Sequence, residues 1–191
     1  MINDNLTENH QQLAQQLFCA NSAYTSLMRK TSHGINEDNF TVIFNDIFQL
    51  VKGNNQKQFV ARKQMLIKKI NSDFNLRKTY IKLIEQLKFA QSDIQVAASS
   101  GDLLPERITE YFSLKFKRDI SQPTQVYVIL SINHPTEQHL NNAFTLHITN
   151  NNEIDCLSFP TINNGRSQLL MEDNESSFKL LTDPNSRLYL M

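Results

Sequence analysis

The chain has no tryptophan, two cysteines, four glycines and five prolines among its 191 residues. The shortages of cysteine and of glycine each close off a class of protein. Cys19 and Cys156 are too few and too far apart for a disulfide framework, and they read as buried free thiols, which behave as small hydrophobes. Four glycines leave no glycine-rich loop to cradle a phosphate. No stretch approaches the ~20 apolar residues that a membrane-spanning helix needs. The opening MINDNLTENHQQ has no basic start followed by an apolar run, so it does not read as a signal peptide. A cytoplasmic location is the expectation, without membrane insertion.

Net charge is missing too, but only globally, because nineteen basic residues balance nineteen acidic ones. Met1–Gln49 carries two basic and five acidic residues, net −3; Leu50–Ala90 carries ten and two, net +8; Gln91–Met191 carries seven and twelve, net −5. A basic middle is thus flanked by acidic ends. Such asymmetry speaks about partners more than about fold.

What is present is periodicity. Leu6, His10, Leu13, Leu17, Ala20, Tyr24 and Leu27 repeat at helical spacing, and so do Phe40, Ile43, Phe44, Ile47, Phe48 and Val51, with Gly53 as a stop. A third stripe runs Phe59, Leu66, Ile67, Ile70. A fourth runs Leu76, Tyr80, Leu83, Leu87, Ile94, Ala98, with Ala90 and Ala97 in the remaining heptad slots. The last two stripes differ in bearing by about a quarter turn at 100° per residue, so they read as two helices broken at Asn71-Ser72-Asp73, with a single bent helix as the alternative. After Gly101 and Pro105 the period becomes two. Phe112–Phe116, Val126–Ile132 and Phe144–Ile148 read as strands, the second covered on both faces, with further short strands around Cys156, Leu170, Leu180 and Leu188. The expected fold class is α+β: a helical bundle of about four helices over residues 1–100, its third and fourth helices basic. A mostly antiparallel β-sheet, small sandwich or part-open barrel follows over residues 101–191.

Two sets of residues stand out as candidate binding sites. Lys57, Lys68 and Lys69 on the third helix, with Arg77, Lys78, Lys82 and Lys88 on the fourth, point away from the apolar stripes and form a candidate basic face. Phe44 and Phe48 form a candidate apolar docking site, against the reading that they are ordinary bundle core. His134, Glu137 and His139, with His147 able to approach from the next strand, are the weak metal candidates. Pro135 places them in a loop and not on the helix that paired histidine ligands of this spacing need. No nucleophile elbow or cofactor motif is present, and no cofactor is expected.

These residues point to a non-enzymatic protein-binding or adaptor module that uses amphipathic helices and a basic helical face, with a protein partner or a second copy as its target. Nucleic acid held through its phosphates is the alternative, although helix-turn-helix, zinc-finger and RNP signatures are all missing. An enzyme or metal protein whose site is assembled from scattered residues is the second alternative.

Overall fold

The computed structural model describes residues 40–53, 57–92, 106–133 and 143–191. The helix expected over Leu6–Leu27, Cys19, and the metal candidates His134, Glu137 and His139 lie outside the described residues. The chain divides into two compact units, Met1–Gln49 and Leu50–Met191.

Helix α1, Phe44–Val51, runs across the boundary between the units. Asp46 accepts from the N–H of Ile43 at 3.1 Å, satisfying a donor that the first turn leaves open. Gly53, at φ +68°, takes the left-handed conformation that ends the segment. A Cβ there would run into the side chain of Thr145, so the position admits glycine on two counts.

In the second unit, α2 spans Lys57–Ser72 and α3 spans Phe74–Leu87. The expected break falls at Asp73. Its backbone is extended and its carboxylate accepts from Asn75 N at 2.8 Å and Leu76 N at 3.2 Å, which caps α3. Leu66 and Ile70 of α2 and Tyr80, Leu83 and Ile84 of α3 are buried, so the stripes face inward.

Among the described residues eight strands follow: β1 (Ala90–Ser92), β2 (Arg107–Ile108), β3 (Phe112–Arg118), β4 (Gln125–Ile132), β5 (Phe144–Thr149), β6 (Ile154–Phe159), β7 (Arg166–Glu172) and β8 (Arg187–Leu190). A short helix, α4 (Ser176–Thr182), lies between β7 and β8. All pairings are antiparallel, in two four-stranded sheets of order β1-β8-β5-β6 and β2-β3-β4-β7. The fold is α+β. One core cluster draws Leu114, Val128 and Leu130 from the second sheet, Leu146, Ile148 and Leu188 from the first, and Phe178 and Leu181 from α4.

Three expectations are corrected. The last basic helix stops at Leu87 instead of continuing to Ala98, because the next main-chain groups find β8: Phe89 N donates to Leu190 O, and Ala90 pairs with Leu190. Leu180 lies on α4, not on a strand; its neighbours Phe178 and Leu181 are buried with it. The strand covered on both faces is β5, all six of whose residues are buried, whereas β4 alternates buried and half-buried positions.

Candidate polyanion-binding groove

Helix α3 presents Phe74, Arg77, Lys78, Ile81 and Lys82, positions spaced three and four apart and therefore on one face. This face borders a groove of about 330 Å³ whose other wall is Thr149, Asn150 and Asn151 after β5, Asn185 before β8, and Arg187 and Tyr189 on β8. Among the described residues four cationic side chains line it and no carboxylate does. Among the described residues no ion pair engages Lys78, Lys82 or Arg187.

The walls are held by polar contacts to residues behind the groove and by one contact within it. Arg77 Nη1 donates to Asn71 O at 2.7 Å, and its guanidinium lies 6.0 Å from the ring centre of Phe74. Opposite, Asp183 accepts from Asn185 N at 2.9 Å, Asn185 Nδ2 at 3.1 Å and Asn150 Nδ2 at 3.4 Å, which orients two of the three groove asparagines. Hydrogen bonding, first from the Asn185 backbone, keeps the Asp183 carboxyl below its ordinary value. The Asp183 loop is in turn pinned by Arg107, whose buried guanidinium donates to Ser186 O at 2.9 Å, Leu181 O at 3.4 Å and Asp183 O at 2.5 Å. A cation on the carbonyl end of α4 also suits the helix dipole. Burial pulls the Arg107 pKa down, with Asp183 opposing. An arginine nonetheless stays charged.

Of the basic residues singled out from sequence, Arg77, Lys78 and Lys82 meet in this groove. Lys88 lies beyond the helix end, bonded to Gln91 Oε1 and 5.7 Å from the ring centre of Tyr189. Lys68 and Lys69 are exposed on α2 and do not line the groove, and Lys57 opens that helix. Phe44 and Phe48 are half-buried on α1. Sequence reasoning missed Arg187 and the three asparagines. Asparagine in a short polar stretch, as at Asn150 and Asn185, signals only a turn, and nothing local relates residue 187 to residues 77–82.

A second polar cluster lies under the helices. His147 sits on β5 opposite Cys156 on β6, and its Nδ1 is 2.5 Å from the Tyr80 hydroxyl while its Nε2 is 3.1 Å from Val51 O. A carbonyl can only accept, so Nε2 carries the proton and Nδ1 accepts from Tyr80. Burial drives His147 down to about 3, with the Val51 bond opposing and Lys63 adding to the fall. Burial likewise pushes the Cys156 thiol up to about 12 and Tyr80 well above its usual value. A protonated thiol beside a neutral imidazole is not an activated nucleophile. The cluster ties β5 to α3. Both ring nitrogens of His147 are engaged, one by Tyr80 and the other by Val51. Among the described residues no group of three or more His, Cys, Asp or Glu could hold a metal ion. Nor is any described helix long and apolar enough to cross a membrane.

Comparison with protein-family models, curated proteins and solved structures finds no match. Geometry alone carries the functional reading.

Proposed function

We propose that the protein is a non-enzymatic binding module of the cytoplasm, an adaptor whose groove between α3 and β8 docks an acidic segment of a protein partner. The observation that carries this is the lining itself: Arg77, Lys78, Lys82 and Arg187, with no carboxylate among the described lining residues. Gathering four like charges on one concave surface opposes folding through self-repulsion, and an anionic partner relieves that cost while being steered inward. Each exposed ion pair contributes only about 0.2–1 kcal/mol, so recognition rests on several acting together. In this reading the two sheets form a small sandwich that serves as a platform for the helices, and Phe44 and Phe48 offer a second, apolar contact for self-association.

Nucleic acid is the second reading, favoured by Phe74, an aromatic ring 67% exposed at the groove on which a base could stack. Against it, Lys68 and Lys69 do not extend the positive track, and Phe74 is the one exposed ring among the described groove residues, Tyr189 being buried, where strand-binding grooves use several in succession. Residue-resolved NMR titration with a short oligoglutamate peptide at low salt tests the assignment. The amide signals of Arg77–Lys82, Asn150, Asn151 and Asn185 are expected to shift. Shifts confined to other regions, or none, would reject the groove.

A further inference from the structure

The groove is not uniformly polar, and its apolar part narrows the ligand. Phe74 is 67% exposed at the first position of α3, where nothing in helix geometry calls for a phenylalanine. Ile81 follows on the same face, half-buried, and the buried Tyr189 forms the wall opposite. The two lysines add aliphatic stems between these rings and their charged tips. A ligand that is only a string of charges satisfies the cations and leaves this apolar surface in water. Resting on the binding reading above, we infer that the groove selects an acidic peptide segment carrying a bulky apolar anchor residue, aromatic or leucine-like, flanked by carboxylates. The anchor covers Phe74 and Ile81 while its acidic neighbours reach Lys78, Lys82 and Arg187. A cavity of about 330 Å³ lies at the low end of the ~300–1,000 Å³ typical of ligand pockets, room for an anchor side chain but not for a packed helix.

Two contributions with different salt behaviour follow. Charge contacts weaken as salt rises, whereas burial of the anchor against Phe74 does not. The experiment compares oligoglutamate with the same peptide carrying one central phenylalanine, by fluorescence anisotropy at about 50 and 200 mM salt. A random single-stranded oligonucleotide is the third probe. The phenylalanine peptide is expected to bind about tenfold more tightly than oligoglutamate, a factor equal to about 1.4 kcal/mol, and to keep that margin at the higher salt. Phe74→Ala removes the margin and leaves oligoglutamate binding in place, and Phe74→Leu restores much of it. Equal affinity for the two peptides, or a margin untouched by Phe74→Ala, would overturn the anchor while the binding reading stands. Failure of both peptides at low salt would bring down the binding reading and the anchor together. Tighter binding of the oligonucleotide than of either peptide would overturn the anchor in favour of nucleic acid.

Discussion

His147 makes acid stability a quantitative test of the packing beneath α3. Its imidazole is held neutral, with a pKa near 3, by burial between β5 and α3. In the unfolded chain an ordinary histidine titrates near 6.5. Between these values the unfolded state takes up a proton that the folded state refuses, so stability is complete above about pH 6.5 and falls as pH drops towards 3. Between pH 7 and pH 5 the linkage relation gives a loss of about 2 kcal/mol from this one residue. Asp183 and Asp119, both lowered from a carboxylate value of 3.8, act further down the scale and leave this window to the histidine. Urea unfolding at the two pH values measures the loss. His147→Gln is expected to be less stable at pH 7, since one of the hydrogen bonds to Tyr80 and Val51 is weakened, but its pH 7 to pH 5 difference should be smaller than that of the native chain by about 2 kcal/mol, so that its deficit closes or reverses at pH 5. Histidines elsewhere in the chain cancel in that comparison. An unchanged pH difference in the variant would refute the argument that His147 is buried and neutral.

Two further outcomes follow from the groove's supports. Arg107→Met strands the carbonyls of Leu181, Asp183 and Ser186 and should cost about 2–4 kcal/mol in urea unfolding, with faster amide exchange around Asn185; a loss below about 0.5 kcal/mol would contradict its role. Asp73→Ala removes the acceptor for Asn75 N and Leu76 N and should cost about 1 kcal/mol, read as exchange concentrated in the first turn of α3 and not in the sheets.

Much of the fold is legible in the sequence because its signals are local. The change in bearing between the stripes of Leu66–Ile70 and Leu76–Leu87, with cap chemistry at Asp73, locates the break between α2 and α3. Period-two alternation locates β3, β4 and β5. Where pairing is distant the local pattern misleads. Ala90 fits a continuing heptad, yet its backbone partner on β8 lies a hundred residues onward. Leu180 sits in an apolar group too short to distinguish helix from strand. The candidate site was half legible. Arg77, Lys78 and Lys82 share a helix face, and helical spacing reveals that. Arg187 and the asparagines arrive through sheet topology. Arg107 leaves no trace at all, since its partners are main-chain carbonyls with no residue signature.

The most direct test of the central claim is the salt dependence of oligoglutamate binding by the native chain and by the Lys78→Glu/Lys82→Glu variant. The account predicts measurable affinity at about 50 mM salt that declines steeply by about 200 mM, and its loss in the variant, whose fold is preserved because both lysines are exposed. Binding that is indifferent to salt, or equal in the two proteins, would contradict a cationic groove as the recognition surface.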